Sequence, residues 1–574
     1  MQMARVGVLL DRQSAERRWK AEINVFDGYI VELLSAFRIP CTMMEDIDEL
    51  DGNNLDILIA GHTEHSRPLM TKLLDFVREG GVLLSYGGLN PLAGQLGFRC
   101  AAKLSFGYAK LGESDADELP LRFASATPWA QADPSAGSGQ SAVPSGQLSA
   151  GSPEGPQSGP AAWTIPLGSG FIERWAIDIA QSIVTFQQGT GPVWEDGIPA
   201  GDGTGEVNEG ILKADDAIAM NWQYDRQHTA GAGVPFFAYP YADLWKGHVV
   251  GQLLRWSLTL GKTLPFAGFW PIGVSSIATI SHDSDVNDDI HAGSTLDLLA
   301  ECGIRTTWCM LEPGYGADVY ERVKLDGHEL AFHYNALDED GGKWGREEFL
   351  RQQEWLKSAA HLDRITTNKN HYTRFEGWGE LFEWCEQAGI SADQTRGPSK
   401  RGNVGFLFGT CHPYFPMASF SDRNRLYDVL EIGFLTQDVG HPQVADPSVI
   451  EPFLDRVATV RGVAHFLFHQ IHIHERETVR DALRTVVNEA KRKGFAFWTS
   501  RQIDDWVRSR RSVSVAGVDA AGVPILRHSP ERSQTAGEME WFIPVLNDPA
   551  GSDRERASLV SMFGVSCLRW TRQP

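Results

Sequence analysis

The sequence predicts an α/β protein in which a doubly wound parallel sheet precedes a (β/α) barrel. Short apolar runs alternate with amphipathic stretches over residues 1–110, the order expected of an open parallel sheet covered by helices. The same alternation returns over residues 276–508, a length that suits a barrel. Two predicted barrel strands end in acidic or histidine side chains, and barrel active sites lie at strand ends.

The N-terminal sheet is expected to contain four strands and two helices. The predicted strands are 5–10, 39–44, 55–60 and 81–85, and the predicted helices are 17–37 and 69–78. A Gly-Gly pair at positions 80 and 81 marks the end of the second helix, because glycine readily adopts the conformation that terminates helices.

Residues 111–275 form a predicted β-rich connecting region. Within it, residues 131–161 are rich in Ser, Gly, Pro, Ala and Gln, and such a composition buries too little surface to offset chain entropy. We therefore expect a flexible, disordered insertion there. The remaining expected elements are strands at 193–197, 210–214 and 217–222, a helix at 242–260, and a small β appendage at 509–574.

Composition excludes several classes of protein. The 574 residues include 52 basic and 74 acidic side chains, and the resulting net charge of −22 argues against nucleic acid and anionic membranes as partners. No run approaches the ~18 apolar residues of a membrane span, and the N-terminus reads as a strand rather than a signal peptide. The seven cysteines lack CxxC spacing, so we expect a reduced, cytoplasmic protein.

The barrel is predicted from a series of strands with helices between them. The strands are expected at 277–283, 305–311, 329–333, 371–375, 427–434, 465–473 and 495–499. One intervening helix is clear from its spacing, because Trp378, Leu381, Phe382 and Cys385 fall at i, i+3, i+4 and i+7.

An acidic cluster follows the first barrel strand. Asp283 and Asp285 are two residues apart and share a face in an extended chain, whereas Asp288 and Asp289 are expected to cap the next helix. A second strand ends in His333. Carboxylates at one strand end and an imidazole at another are ligands for a divalent metal, most plausibly zinc.

These motifs resemble those of the polysaccharide deacetylases of carbohydrate esterase family 4, which have a distorted (β/α) barrel of the nodulation-protein-B type. The resemblance covers residues 277–508. Ser281-His-Asp-Ser-Asp285 stands where that family has Thr-Phe-Asp-Asp-Gly. Gly327-His-Glu-Leu-Ala-Phe-His333 is similar to its Gly-His-Glu-Ile-Gly-x-His motif, and Leu467-Phe-His469 to its Leu-x-His motif.

The resemblance implies an Asp-His-His metal site, of which Asp285 and His333 are two members. The family's second histidine falls on Leu337, so one ligand must come from elsewhere. His371, in Lys369-Asn-His-Tyr372 where the family has Arg-x-Pro-Tyr, is the candidate replacement. Neighbouring strands lie about 5 Å apart, which would let it reach the metal. The alternatives are an ordinary polar residue at the barrel mouth, or Asn335 or Asp338 as the third ligand.

Several further roles are likewise implied by the resemblance. Asp283 would be the general base, His469 the general acid, and the backbone N–H of Tyr372 an oxyanion donor, while Asp393 stands at the position of the family's fourth motif. The substrate-binding candidates are Asp393, Asp438, which lies at the tip of a predicted strand, and Trp308. Strand alternation puts His472 and His474 on the face opposite His465 and His469, at the surface; a second metal site there is the alternative.

The N-terminal region resembles the class I glutamine-amidotransferase-like domains, which are flavodoxin-like. Their nucleophile turn reads Gly-x-Cys-x-Gly, whereas the corresponding loop here is Ser85-Tyr-Gly-Gly-Leu-Asn90. Without the cysteine we expect no glutaminase activity. A structural or docking role is expected instead, with oligomerisation through this domain as one form of it.

The expected function is metal-dependent hydrolysis of an N-acyl group, most plausibly an acetyl group, on an amino sugar or a related small amide. The partners are then an N-acylated sugar or amide and a zinc ion. The alternative is a catalytically degenerate protein that binds a glycan or has a regulatory role, an interpretation favoured by Leu337.

Overall fold

The protein is described here from a computed structural model, which covers residues 2–63, 66–112, 119–132, 142–207, 210–520, 522–528, 530, 533–546 and 559–571. Two sheets, one mostly and one wholly parallel, organise this mixed α/β structure. One lies in the N-terminal part and the other forms a curled half-barrel. Among the helices of these residues, none has both the length and the apolar character that crossing a membrane requires.

The N-terminal sheet has seven strands, five of them parallel. Their order across the sheet is Cys41–Met44, Val6–Leu9, Ile57–Ala60, Val82–Tyr86, Gly170–Trp175, and then the antiparallel strands Ala162–Leu167 and Val143–Ser145. Three of the parallel strands, Val6–Leu9, Ile57–Ala60 and Val82–Tyr86, are buried at every position, because helices cover both faces of the sheet. The predicted helix over 17–37 is two helices, Arg12–Lys20 and Tyr29–Ala36.

The predicted flexible insertion over residues 131–161 is wrong for the part that the structure describes. Residues 133–141 lie outside the described residues. In the remainder, Val143–Ser145 pairs with Ala162–Leu167, and Gln147–Ala150 pairs with Leu104–Lys110. These neighbouring strands satisfy the backbone polar groups, so regular structure forms without bulky apolar side chains.

The strands expected between residues 193 and 222 are also absent from the part of this region that the structure describes. Asp216 instead accepts hydrogen bonds from the backbone N–H groups of Gly197 (2.8 Å) and Lys213 (2.7 Å). A carboxylate that bonds backbone amides offers the chain an alternative to a strand ladder. The strands of this region are Arg226–His228 and Pro235–Phe237, which pair with each other.

The second sheet is parallel throughout and curls into the half-barrel. Its order is Leu430–Glu431, Ala392–Asp393, Thr367–Asn370, Glu329–Tyr334, Thr307–Met310, Ser276–Asp283, Val463–Leu467 and Thr436–Gln437, and Phe495–Phe497 also pairs with Ser276–Asp283. Its two edge strands are separated in the chain only by residues 432–435, so the curl nearly closes.

Helices cover both sheets. The remaining helices are Arg67–Arg78, Ile179–Gln188, Tyr241–Thr259, Asp289–Cys302, Ala317–Leu325, Arg346–Ala360, Glu380–Ala388, Ile450–Val460, Gln470–Glu475, Glu477–Arg492, Ser500–Arg511 and Ser533–Glu538. As predicted, Asp288 caps one of them, since its carboxylate accepts the Ile290 N–H at 2.8 Å.

The C-terminal residues form β structure that joins the rest of the chain. Phe266–Pro271, just before the barrel, pairs with Met539–Pro544, which continues into Val565–Thr571 and Leu559–Met562 in one antiparallel sheet. The other two-stranded pairings are Gln2–Met3 with Lys262–Thr263, Phe98–Cys100 with Trp129–Gln131, and Ser514–Val518 with Pro524–Arg527.

Candidate metal centre

The polar residues singled out above meet at one edge of the half-barrel. Asp283 is the last residue of its strand, and Asp285 lies in the loop that follows. His333 belongs to Glu329–Tyr334, and His371 comes directly after the neighbouring strand Thr367–Asn370. His469 follows Val463–Leu467 by two residues. Because all these strands are parallel, their carboxyl ends meet, as the sequence predicts.

Asp285 stands at the centre of this group. Its Oδ1 lies 3.2 Å from Nε2 of His333 and 3.4 Å from Nδ1 of His371. Its Oδ2 lies 3.3 Å from Nε2 of His469. Burial raises the pKa of Asp285, but the charge of His469 and hydrogen bonds from the three imidazoles outweigh burial and hold that pKa well below its ordinary value.

Asp285, His333 and His371 fit a divalent cation. Their ligand atoms lie within 4.8 Å of one another. Nδ1 of His333 lies 3.0 Å from the Lys369 carbonyl oxygen, to which it donates, so a cation would bind Nε2 in place of the hydrogen that Nε2 shares with Asp285. Nε2 of His371 lies 3.3 Å from Asp340, which leaves Nδ1 for the cation. One carboxylate and two imidazoles are a donor set suited to zinc.

His371 owes its position to the end of its strand. The strand expected over 371–375 is wrong, because pairing stops at Asn370 and residues 371–373 form a short 3₁₀ turn. Tyr372 and Thr373 both have a φ of 54°, in the left-handed region, and this turn directs His371 toward His333. Burial lowers the pKa of His371, yet its hydrogen bond to Asp285 and the charge of that carboxylate raise it overall.

Asp283 lies beside the three candidate ligands and is 5% exposed. Its Oδ2 is 3.8 Å from Nε2 of His333, and its Oδ1 is 3.3 Å from Nζ of Lys369. Lys369 is fully buried and also donates to Oγ of Ser281 at 3.1 Å. The ammonium group therefore balances the charge of Asp283. Lys369 was not among the predicted site residues, although a lysine within a buried strand indicates a buried charge that needs a partner.

His469 lies between two carboxylates. Its Nδ1 is 2.5 Å from Oδ2 of Asp438, and its backbone N–H donates to Oδ1 of Asp438 at 2.8 Å. Burial lowers the pKa of His469, but the charges of Asp438 and Asp285 raise it well above its usual value. The two carboxylates therefore favour the protonated form of His469.

The strand expected over residues 465–473 is wrong beyond Leu467. The backbone N–H of Phe468 makes the last bond to the sheet, through the Ser281 carbonyl, and that of His469 bonds Asp438 instead. The chain then turns into the helix Gln470–Glu475, which carries His472 and His474. His472 consequently faces Asp438, while His474 lies 2.8 Å from the hydroxyl of Ser294.

Two of the predicted substrate-binding residues lie away from this cluster. Trp308 is fully buried, and its ring packs against that of His282 at 5.3 Å, on the opposite strand face from Thr307. Asp393 is also fully buried and accepts hydrogen bonds from Asn368 at 2.7 Å and the Thr395 backbone at 2.9 Å. Burial raises the pKa of Asp393. In contrast to the prediction, both side chains are closed off from a ligand at the strand ends.

Asp438, Tyr372 and Asp340 complete the surroundings. Asp438 is 1% exposed and holds His469 rather than standing open in a pocket. Tyr372 lies at the rim and is 51% exposed. Asp340, which the sequence reasoning missed, contacts His371 from the loop after the His333 strand. Leu337, where the resemblance calls for a histidine, is buried.

No protein-family model and no curated protein matches the sequence. Among solved structures, the chain is similar to a protein described as a polysaccharide deacetylase from Mycobacterium smegmatis, with 16% identity over 43% of this chain and 94% of that one and a TM-score of 0.31. A carbohydrate esterase family 4 domain of a multidomain xylanase, from the hindgut metagenome of Trinervitermes trinervoides, is 12% identical over 40% of this chain and 89% of that one, with a TM-score of 0.26. A pseudoenzyme of the same family from Bacillus anthracis is 11% identical over 40% of this chain and 66% of that one, with a TM-score of 0.25.

Proposed function

We propose that the protein is a metal-dependent hydrolase that removes an N-acyl group, foremost an acetyl group, from an amino sugar or a related small amide. The observation that carries the proposal is the single carboxylate of Asp285, which contacts His333, His371 and His469 at 3.2–3.4 Å while Asp283 lies alongside. Asp285, His333 and His371 would hold the cation, foremost zinc. When bound there, the cation supplies Lewis acidity that lowers the pKa of a water molecule and polarises the acyl carbonyl.

Asp283 is proposed as the general base that takes the proton of the attacking water. Its burial beside Lys369 supports this role, because the carboxylate is held in place by a neighbouring charge rather than by solvent. The backbone N–H of Tyr372 is proposed as a donor to the oxyanion. In support, Tyr372 directly follows a candidate ligand and lies at the exposed rim.

His469 is proposed as the general acid that protonates the leaving amine. An amine leaves poorly as an anion, so the reaction needs a proton at the nitrogen as the C–N bond breaks. The raised pKa of His469, which follows from the charges of Asp438 and Asp285 against the effect of burial, supports this role. Asp438 would act through His469 by fixing its ring, and not by touching substrate.

The test is release of acetate from a panel of N-acetylated sugars and small amides by the full chain supplied with zinc. We expect release that is lost in His333→Ala, which removes a candidate ligand, and in Asp283→Asn, which removes the base. His474→Ala is the matched control, because His474 contacts Ser294 outside the cluster. A folded protein that carries one equivalent of zinc and still releases no acetate from any compound would contradict the hydrolase proposal for these substrates.

A second candidate function is a catalytically inactive protein that binds a glycan. Buried Leu337 at the position of an expected ligand favours it. Metal analysis separates the two. Tightly held zinc of which one equivalent is lost in His333→Ala supports the hydrolase, whereas a folded protein that takes up no zinc supports the binder.

We further propose that the N-terminal sheet is a flavodoxin-like, amidotransferase-type domain with a docking role. The order of its parallel strands, numbered along the chain, is 2-1-3-4-5, which supports this assignment. Leu89 stands in the loop where a nucleophile would be expected, with a φ of 59°. All seven cysteines are unpaired, which supports a reducing compartment such as the cytoplasm.

A further inference from the structure

A second group of metal-binding side chains lies on the far side of His469 from Asp285. Oδ2 of Asp438 is 2.5 Å from Nδ1 of His469 and 2.9 Å from Nδ1 of His472. The ring of His441 lies over that of His472, with centroids 4.6 Å apart. His469 therefore presents Nε2 to the first group and Nδ1 to this one.

The donor set and spacing of this group suit zinc. One carboxylate and two imidazoles, from Asp438, His469 and His472, offer ligand atoms that all lie within 4.8 Å of one another. Tetrahedral zinc with bonds of about 2.0–2.2 Å needs neighbouring ligand atoms roughly 3.3 Å apart. The observed spacings differ from this value by amounts that small side-chain rotations can supply.

Nδ1 of His472 makes an ion-pair contact with Asp438 but no well-aligned hydrogen bond. Nδ1 of His472 is buried, and it has no hydrogen-bond partner among the described residues. Its 2.9 Å approach to Asp438 lacks the alignment of a hydrogen bond. Buried polar atoms are nearly always paired, and an ion is one of the few partners that explains an exception. The side chains of His469 and His472 are 14% and 25% exposed, so a cation can reach them from solvent.

We propose that Asp438, His469 and His472 form a second zinc site, and that zinc bound there inhibits the hydrolase. The inhibition rests on the proposed function, whereas the site itself does not. Zinc on Nδ1 replaces the hydrogen bond between His469 and Asp438, and an imidazole coordinated through Nδ1 cannot also be the imidazolium that gives up a proton to the amine. Zinc would thus activate the protein at the first site and inhibit it at the second.

The stoichiometry of zinc binding tests the site without any substrate. The full chain is stripped of metal, titrated with zinc by calorimetry, and analysed for bound metal after dialysis. We expect two equivalents in the unaltered protein and one in His472→Ala. The control His474→Ala, a histidine of the same helix outside the group, should keep two. His371→Ala should lose the other equivalent and keep this one.

Activity then tests the inhibition. Acetate release should rise with the first equivalent of zinc and fall about 100-fold or more as the second binds, since a general acid contributes about that much. In His472→Ala, the rate of acetate release in excess zinc should equal the rate that this variant shows with one equivalent of zinc. Circular dichroism verifies folding, and His472→Gln serves as a second variant if the alanine variant unfolds.

The outcomes separate the two proposals. A single equivalent in the unaltered protein, or two in both His472 variants, overturns the second site whatever the activity. If the unaltered protein binds two equivalents of zinc and His472→Ala binds one, the second site is established, even if no substrate is turned over and the proposed function is wrong. Turnover that persists undiminished with both equivalents bound overturns the inhibition alone.

Discussion

Nδ1 of His371 lies 3.3 Å from Nε2 of His333, although the two residues are 38 positions apart in the chain. Parallel pairing of Glu329–Tyr334 with Thr367–Asn370 brings the two strand ends together, and the turn after Asn370 supplies the remaining approach. A histidine that directly follows the neighbouring strand thereby lies beside His333.

Removing His371 should therefore weaken zinc binding at the first site as strongly as removing His333. Even residues that only support metal ligands change affinity by about 10–100-fold, so loss of a direct ligand should raise the zinc dissociation constant by at least about 100-fold. Competition with a chromogenic chelator measures this constant. Asn335→Ala is the control, because Asn335 was the weaker alternative ligand. Normal affinity in His371→Ala with loss in Asn335→Ala would reverse the assignment.

Neutralising Asp438 should shift the pH dependence of hydrolysis. The charges of Asp438 and Asp285 raise the pKa of His469, against burial, so Asp438→Asn lowers that pKa. The imidazolium is then lost at a lower pH, and the alkaline limb of the kcat/KM profile moves to lower pH. The acidic limb should move less. The measurement is kcat/KM from pH 5 to 10 for the unaltered protein and Asp438→Asn. An alkaline limb that does not move would show that His469 is not the general acid.

Lys369→Met should destabilise the fold as well as slow the reaction. Lys369 is fully buried, and its removal leaves the carboxylate of Asp283 buried without a cation, which typically costs about 3–5 kcal/mol. Urea denaturation measures the free energy of unfolding. The double variant Lys369→Met with Asp283→Asn should regain much of that stability yet remain inactive. If the double variant is as unstable as the single one, the loss comes from packing and not from charge.

His62 should make the stability of the N-terminal domain depend on pH. The charge of Asp27 raises the pKa of His62, and Asp178 lies 3.6 Å from its other ring nitrogen. A raised folded-state pKa stabilises the fold below the unfolded value near 6.5, and this contribution disappears as pH rises through the folded-state pKa.

The unfolding free energy should therefore differ more between the unaltered protein and His62→Gln at pH 6 than at pH 9. Exposed His228 offers the matched substitution, His228→Gln, which should show no such difference. A gap between the unaltered protein and His62→Gln that is constant with pH would mean that the ion pair with Asp27 does not contribute.

The sequence predicts two of the strands that carry the site, because these strands depend on local pattern. Apolar runs locate the strand before Asp283 and the one that carries His333, and parallel pairing then brings their ends together. The two strands need only hydrophobic periodicity and the direction of the chain. His371 was foreseen as a neighbour of His333 from the resemblance, but the strand predicted at 371–375 is wrong, because the polar strand Thr367–Asn370 ends before it and carries no apolar signal.

What the sequence does not predict depends on long-range contacts. Trp308 was placed on the correct strand, but which strand face meets the cluster is set by the register with Glu329–Tyr334. Alternation failed after Leu467, because the carboxylate of Asp438, 31 positions away, takes the backbone bond of His469 that would have continued the strand. Lys369 contacts Ser281 and Asp283 on another strand of the barrel, and no local pattern in the sequence reveals these contacts.

Asp285 gives one carboxylate oxygen to His333 and His371 and the other to His469. In the proposed mechanism, cation binding and proton donation therefore both depend on this one residue. A substitution at position 285 during evolution would therefore remove cation binding and proton donation together, in a single step. Among related proteins, the residue at this one position would then distinguish active proteins from inactive ones.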